Sequence, residues 1–266
     1  MITDKNYYDV NNKGLSQSKI KRYEQDPNYM YRSYISGELE KKDTKAFLVG
    51  REVDSILTEM DKAQNTVLSI YPDFRKKEAR EWKVDQEFAG KTVVTNKEYE
   101  QIMATAIAVQ STSIWKEIEK DYTMQEVIQI PQELGEHFDC LYGKLDAYKI
   151  DEEGICDLTD LKTSITVNQR QFFYKAKDLG YFKQLWMYSY LLMKKYPQIN
   201  GFRYWFVVAE KSEPYRVALF RVDNALVENC EDDMLRLISD ISQRIDWSKP
   251  DVKWSDAIPM EDHSEF

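Results

Sequence analysis

Two aspartates and a lysine lie close together in the middle of the chain, at Asp146, Asp160 and Lys162, within the segment GKLDAYKIDEEGICDLTDLKTS. Two β-rich runs, at 144–150 and 155–163, flank the turn sequence Asp-Glu-Glu-Gly, which predicts a hairpin with one carboxylate on each strand. Because residues i and i+2 of a strand share a face, Asp160 and Lys162 point the same way. Two hard oxygen ligands beside an ammonium group can hold a magnesium ion and an activated water against a phosphodiester.

The register of this hairpin decides whether the two carboxylates meet. With a four-residue turn, Ile150 pairs with Ile155, Asp146 faces Thr159, and Asp160 lies on the other face. Bringing both aspartates to one face requires a five-residue connection or a one-residue bulge. We therefore predict such an irregularity, with Asp146 nearly opposite Asp160. The alternative is an exposed hairpin with ordinary surface charges, since isolated matches of this kind are common in a chain that is 31% charged.

The elements around the hairpin must position these residues. A helix is predicted from Gly180 to about Lys195, and Gln184 and Tyr188 share one of its faces because they are four residues apart. The other predicted elements are one long helix and three strands, at 96–120, 126–131, 201–209 and 215–222. The resulting order is helix, three strands, helix, strand.

This order, the D…DxK pattern and the QxxxY of the following helix resemble the PD-(D/E)XK nuclease superfamily. Within it, the chain most resembles the RecE (exonuclease VIII) group of phage and prophage 5′→3′ DNA exonucleases. LSQSKIKRYEQDPNYMY, from Leu15, is similar to the LSxS…P opening of that group, and FLVGREVDSIL, from Phe47, is similar to its GxxxH helix. The resemblance covers residues 14–210. It implies an α/β fold in which an αβββαβ core, a mixed sheet flanked by helices, follows an added helical N-terminal region over about 1–95.

The residue types and the resemblance together suggest a metal centre. Asp146 and Asp160 are expected to hold one or two Mg²⁺ ions, for which Mn²⁺ substitutes, with the backbone carbonyl of Leu161 as a further ligand. Asp54 stands where many relatives have a histidine. It is either an oxygen ligand that favours a hard ion or a polar residue on a buried helix. Glu126 is a weaker candidate near the metal.

Three further side chains are assigned to catalysis. Lys162 is expected to orient or help deprotonate the attacking water and to offset phosphate charge. Gln184 and Tyr188 are expected to position the water, Lys162 or the scissile strand by hydrogen bonds. Asp160 is expected to lie in a solvent-accessible cleft.

Composition limits the remaining possibilities. A chain of 266 residues with 42% hydrophobic residues, 9 Gly and 7 Pro predicts one domain without a long linker, followed by an acidic segment over 247–266 that is either a flexible tail or a strap on a neighbouring subunit. Without a signal peptide or a membrane-spanning run, we expect a protein of the bacterial or phage-infected host cytoplasm. The three cysteines lack CxxC spacing and the two histidines lack partners, which argues against a zinc site, an iron–sulfur cluster or a histidine-based triad.

A net charge of −9 contrasts with binding to DNA, but affinity for a phosphate backbone depends on local positive charge. The first two predicted helical regions and the segment 75–83 carry clusters of basic residues, and acidic residues concentrate later in the chain. The candidate substrate-binding residues are Ser18, Arg22 and Arg51. The resemblance to the RecE group implies a homo-oligomeric ring, with basic residues of 19–51 and 75–83 turned toward its central channel.

Three functions remain open at this stage. The first is a 5′→3′ exonuclease on double-stranded DNA that leaves 3′ single-stranded tails for phage-type recombination. In the resembled group such enzymes form homo-oligomeric rings and work with a single-strand-annealing (RecT-like) recombinase. The second is a PD-(D/E)XK endonuclease in restriction or repair. The third is a DNA-binding module without catalysis, which the intact D…DxK disfavours.

Overall fold

The computed structural model describes residues 2, 12–39, 45–58, 65–245 and 247, without the side chains of residues 45 and 46. A mixed sheet of six strands lies at the centre of the described part. Its strands are β1 (Gly14–Leu15), β4 (Thr123–Leu134), β5 (Phe138–Ile150), β6 (Ile155–Ser164), β7 (Gly201–Glu210) and β8 (Val217–Val222). Strands β2 (Thr66–Leu68) and β3 (Thr92–Val94) form a separate parallel pair.

Strand β5 is the axis of the sheet. Along one edge it pairs antiparallel with β4, while its other edge pairs with β1 at 140–141 and with β6 at 147–150. Beyond the pair Ala147–Thr159, β6 leaves β5 and continues parallel to β7 as far as Ser164. The two central strands therefore diverge like the arms of a fork, and the segment containing Asp146 and Asp160 lies where they separate.

The hairpin between β5 and β6 has the predicted irregular length. Ile150 pairs with Cys156, so the connection contains five residues, and the same register continued by one step sets Asp146 opposite Asp160. Asp151 forms this connection: its carboxylate accepts hydrogen bonds from the N–H groups of Glu153 and Ile155. Gly154 takes the left-handed conformation, φ 79°, that closes the turn.

Helices cover both faces of the sheet. One face carries α1 (Gln17–Gln25), α2 (Pro27–Tyr34), α7 (Gln169–Asp178), α8 (Tyr181–Lys195), α9 (Asn224–Glu228) and α10 (Glu231–Gln243). The other carries α3 (Lys45–Thr58), α5 (Asn96–Gln110) and α6 (Ser113–Asp121), while α4 (Lys77–Phe88) packs beside β3. Alternate residues of β7 pack against the two helical layers. Phe206 and Val208 belong to the cluster on the α8 side, and Val207 and Ala209 to the cluster with α3 and α5.

Two predicted boundaries were wrong. The single helix over 96–120 is divided at Ser111 and Thr112, because the Thr112 hydroxyl accepts from the N–H of Trp115 and so caps a new helix, α6. The strand over 126–131 extends to Thr123–Leu134 because almost all of β4 pairs with β5. None of the described helices combines the length and the apolar composition that crossing a bilayer requires.

Two glycines let helices approach the fork closely. A methyl group at Gly143 of β5 would lie 3.0 Å from Tyr188 and Leu191 of α8, and one at Gly50 of α3 would lie 3.0 Å from the hydroxyl of Thr163 in β6. Glycine at both positions allows α8 and α3 to bring polar side chains toward the fork from opposite faces of the sheet.

Trp247 belongs to the folded domain. Its side chain is buried, its ring stacks on that of Tyr31 with centroids 5.7 Å apart, and it meets Tyr23 and His137 edge-on. The amide of Asn28 donates to its carbonyl oxygen at 3.1 Å. The segment 247–266, predicted to be either a flexible tail or a strap on a neighbouring subunit, thus has its first residue in the chain's own core. Residues 248–266 lie outside the described residues.

We expect Trp247→Ala to lower the free energy of unfolding by about 3 kcal/mol, since it removes a large buried ring from an aromatic cluster. Ile245→Ala is the matched control, because Ile245 is 97% exposed two residues earlier. Urea denaturation followed by far-ultraviolet circular dichroism measures the free energy of unfolding of both variants. Equal stability of the two variants would show that Trp247 contributes nothing to the core.

Candidate active site

The fork between β5 and β6 brings the predicted carboxylates together. Oδ2 of Asp146 accepts a hydrogen bond of 2.8 Å from the main-chain N–H of Leu161, which fixes it against β6 just beyond the last ladder pair. Lys162, two residues after Asp160, forms an ion pair with the Asp160 carboxylate. The geometry thus joins Asp146, Asp160, Leu161 and Lys162 in one cluster, as the five-residue connection predicted.

Burial and mutual repulsion set the charges of this cluster. Burial, followed by the charges of Asp160 and Asp54, raises the pKa of Asp146 well above its usual range. Burial also raises the pKa of Asp160, against the opposing effect of Lys162. For Lys162, burial alone would lower the pKa, but the two aspartates outweigh it and raise the pKa. The two aspartates therefore stabilise the positive charge of Lys162, which suits charge neutralisation; its expected role at the attacking water stays a prediction.

Access to the cluster differs from expectation. Asp160 was expected in a solvent-accessible cleft, but it is 0% exposed because it lies on the face of β6 covered by α8. Its Oδ1 atom is buried without a hydrogen-bond partner among the described residues. Asp146 is only partly buried, and the side chain of Lys162 is 13% exposed. A ligand would therefore approach from the side of Asp146 and Lys162.

Asp54 approaches the cluster from the opposite face of the sheet. Helix α3 crosses β6 closely at Gly50, and Asp54 lies one turn further along the same side of the helix. Its carboxylate is near enough that its charge raises the pKa of Asp146. The structure therefore places the residue at the aspartate pair, as it would be if it replaced a histidine ligand.

Tyr181 is a site residue that the sequence analysis missed. The Nζ of Lys162 lies 4.7 Å from the centroid of the Tyr181 ring, a cation–π contact made in addition to the ion pair with Asp160. Tyr181 begins α8, and positions 181, 184 and 188 share one helix face, so the spacing contained a signal. The spacing could be interpreted only once the position of Lys162, next to the start of this helix, was known.

Gln184 and Tyr188 contact each other. The Gln184 amide donates to the Tyr188 hydroxyl at 2.8 Å, and the Tyr188 ring packs over Gly143. They form a polar pair on the helix that covers the fork. Glu126, in contrast, accepts a hydrogen bond from Tyr148 and pairs with Lys195 at the far end of α8. Those partners satisfy its carboxylate.

Among the basic residues of the first helix, Lys19 is buried. Its ammonium group donates to the carbonyl oxygens of Asn12, at 3.0 Å, and Gly14, at 2.6 Å. It also lies over three aromatic rings, those of Tyr34, Phe138 and Tyr142. Lys19 therefore ties β1 to α1, and its expected place in a DNA-lining channel was wrong.

Lys21 is a half-buried cation of α1. It donates to the carbonyl oxygen of Leu179 at 2.7 Å. Its half-burial, together with Arg22 and Lys162, lowers the pKa of its ammonium group. The positive charge of Lys162 at the fork therefore lowers the pKa of a cation on α1.

The three candidate substrate-binding residues lie outside the carboxylate cluster. The Ser18 hydroxyl is 3.0 Å from that of Ser16, beside the start of α1. Arg22 hydrogen-bonds to another residue of the same helix and remains partly exposed. Arg51 on α3 pairs with Glu52 at 3.4 Å. Their binding role stays a prediction.

The residues at the fork suit a hard divalent cation. Two carboxylates that face each other, one with a buried unpartnered oxygen, form an oxygen-rich donor set whose repulsion a cation would relieve. Within the described residues, no three His, Cys, Asp or Glu side chains already form a metal-binding group. Asp146 and Asp160 would therefore be the principal holders, with Asp54 and the Leu161 carbonyl completing the set.

The fold and this acidic fork define a PD-(D/E)XK-type α/β domain. Residues 16–251 match the model of a family described as a PDDEXK-like domain of unknown function (DUF3799), and the chain belongs to that family. The mixed sheet flanked by helices is the fold that the sequence predicted.

Solved structures agree on the fold. The crystal structure of a "Putative exonuclease" from Eubacterium rectale superposes with a TM-score of 0.62 and 14% sequence identity, covering 91% of this chain and 86% of that chain. The structure of SSO0001 gives a TM-score of 0.32 at 16% identity, with 72% of this chain and 84% of that chain covered, and supports no conclusion. No curated protein matches the sequence.

We expect Asp146→Asn to raise the melting temperature of the metal-free protein at neutral pH. Because the folded pKa of Asp146 is raised, the folded state binds protons more tightly than the unfolded state, so ionisation at neutral pH costs stability. The asparagine removes this cost and keeps the acceptor for Leu161. The gain should disappear at acidic pH, where the native carboxyl is protonated.

Differential scanning fluorimetry with and without Mn²⁺ measures this. Mn²⁺ should stabilise the wild type and not Asp146→Asn. Asp157→Asn is the control on the same hairpin, since Asp157 accepts bonds from Arg203 and Trp205 and its loss should lower stability. A lower melting temperature for Asp146→Asn would contradict the repulsion described here.

Proposed function

We propose that this protein is a metal-dependent deoxyribonuclease. The observation that carries the proposal is the convergence of Asp146, Asp160 and Lys162 at the fork of β5 and β6. A pair of carboxylates that cannot comfortably ionise together is costly as a structural device, and such sites are typical of catalysis. Membership of a PDDEXK-like family and the shared fold of the Eubacterium rectale protein support the same class.

The chain's own residues have separable roles in this proposal. Asp146 and Asp160, with Asp54 and the Leu161 carbonyl, would hold Mg²⁺ or Mn²⁺. A bound divalent ion supplies an acidified water and neutralises charge on the phosphoryl group. Lys162 contributes a fixed positive charge beside the phosphate.

Two aromatic residues and an amide support these groups. The Tyr181 ring contacts Lys162 while Lys162 pairs with the Asp160 carboxylate. The hydrogen-bonded pair Gln184 and Tyr188 orients polar groups from α8 over the fork.

The finer activity we propose is 5′→3′ digestion of double-stranded DNA to leave 3′ tails for phage-type recombination. It rests on the LSxS, GxxxD, D…DxK and QxxxY segments that resemble the RecE-like group. An annealing recombinase (RecT-like) would be the partner of such an enzyme. The fork is buried on its α8 side, which suits a single strand entering from the edge near Asp146 and Lys162 better than an intact duplex.

A ring of several copies would keep such an enzyme on its substrate. The proposed channel must use cations other than Lys19, which is buried. Lys41 and Lys42 lie outside the described residues, as does the side chain of Lys45. Light scattering at physiological salt tests assembly, and a strict monomer at micromolar concentration would leave a distributive nuclease.

We expect Mg²⁺-dependent digestion of linear duplex DNA and none of a covalently closed circle. Substrates labelled at one 5′ end or one 3′ end report polarity, with early release of the 5′ label expected. Asp160→Asn is the catalytic control and should abolish cleavage while the chain stays folded by circular dichroism. Cleavage of the circle would favour the endonuclease, and undiminished cleavage by Asp160→Asn would remove the site.

We expect Tyr181→Leu to lower kcat by about tenfold to a hundredfold, as loss of a residue supporting a catalytic group does. Tyr181→Phe keeps the ring face under Lys162 and should retain most of the rate. KM for DNA and stabilisation by Mn²⁺ should change little in either variant, because neither touches the carboxylates. Equal losses in both would mean that the hydroxyl, and not the ring, supports Lys162.

A further inference from the structure

Helix α7 presents a row of exposed side chains on one of its faces. The row has the spacing i, i+3, i+4 and i+7 and consists of Arg170, Phe173, Tyr174 and Lys177. All of them are exposed to solvent, whereas Phe172 and Ala176 are the buried residues of the helix. We call this row the aromatic stripe. It turns two rings toward solvent, with a cation at each end.

The rings of the aromatic stripe form one apolar surface. Tyr174 is 54% exposed and Phe173 is 37% exposed. Their centroids are 5.6 Å apart in an edge-on contact. Single exposed apolar residues are common on proteins, but large apolar groups that are exposed together mark an interaction site.

The aromatic stripe lies close to the residues of the fork. The Phe173 ring packs against the ring of Phe182, in the first turn of α8, with centroids 5.8 Å apart. The residue before Phe182 is Tyr181, whose ring contacts the ammonium group of Lys162. The start of α8 therefore joins the stripe to the cluster of carboxylates and lysine.

The charge of the helix indicates the kind of partner. The chain has a net charge of −9, but α7 has an excess of basic residues, and its acidic residue, Asp178, is the last of the helix. Cations that flank exposed rings favour a polyanion that also offers flat faces, which is single-stranded nucleic acid. A second copy of the chain docked by the same face would instead set cations against cations.

We propose that the aromatic stripe of α7 binds the single strand of DNA that adjoins the cleaved phosphodiester, with its rings stacking on bases and its cations contacting phosphates. This inference rests on the proposed nuclease function, which it deepens by assigning the path of the strand beyond Lys162. Rings stack on every base, so this contact is independent of sequence.

The test is binding of a fluorescently labelled oligothymidylate by the full chain in EDTA, where metal-dependent hydrolysis is excluded, measured by fluorescence anisotropy. Tyr174→Ala should weaken binding by about fivefold to a hundredfold, the range for loss of stacking between one base and one ring. Tyr174→Phe keeps the ring and should bind as the wild type does. Arg170→Ala and Lys177→Ala should each lower the slope of log affinity against log salt by about 0.7.

A strand of the same length without bases separates stacking from attraction to phosphate. The wild type should bind this abasic strand more weakly than oligothymidylate, and the difference should be smaller for Tyr174→Ala. Equal binding of the two strands by the wild type would show that the rings contact no base, and would overturn the proposal.

Two variants away from the stripe are matched controls. Tyr99→Ala removes a ring that is 43% exposed on α5, in the other helical layer, and Lys194→Ala removes an exposed lysine beside the Tyr190 ring at the far end of α8. Both should bind as the wild type does, and equal weakening by them would reduce the stripe to a diffuse surface effect. Tyr174→Ala should melt as the wild type does, because its ring is exposed.

The outcomes distinguish the aromatic stripe from the function on which it rests. Wild-type protein that cleaves DNA, with Tyr174→Ala binding the single strand equally well, would overturn the stripe and leave the nuclease standing. A lower mass of Tyr174→Ala by light scattering, with unchanged DNA binding, would also overturn it and assign the face to a second copy. Stripe-dependent binding without cleavage would remove the nuclease alone, and a wild type that neither binds nor cleaves DNA would remove both proposals.

Discussion

Asp146 and Asp160 lie opposite each other where two strands separate, largely removed from water, and like charges in such a place repel strongly. The Leu161 N–H and the Lys162 ammonium group offset part of this repulsion. The compensation is incomplete, because the pKa values of both carboxyls remain raised. A cation bound between the carboxylates would relieve this remaining repulsion. The helical layers around the fork keep the two carboxylates close together in its absence.

The surrounding packing is rigid where the fork is strained. Strand β5 pairs with β4 from Phe138 to Tyr148, and β6 pairs with β7 along its whole length, so neither strand can slide to move its carboxylate away from the other. Helices α8 and α3 approach closely at Gly143 and Gly50, where an added methyl group would lie 3.0 Å from neighbouring side-chain atoms. Stability from the two apolar layers therefore supports a destabilised centre, the usual relation between a fold and its active site.

Sequence reasoning reached the fork because its evidence was local. The D…DxK spacing and the need for both carboxylates on one face led to a five-residue connection, and Asp151 supplies it. It failed where a residue's role depends on distant partners. Lys19 resembled a surface cation, yet carbonyl groups and rings from three other segments bury it. Tyr181 was overlooked because its partner, Lys162, is separated from it in sequence and joined to it by packing alone.

The distribution of charge follows the same logic. The net charge of −9 describes the whole chain, but at the fork Asp146 of β5 and Asp160 of β6 lie beside the positive charge of Lys162. Under the proposed function, a phosphate would meet Lys162 beside the carboxylates, while a metal ion would supply positive charge at the carboxylates themselves. The local order of charge at the fork, and not the sum over the chain, would then let an acidic protein hold a polyanion.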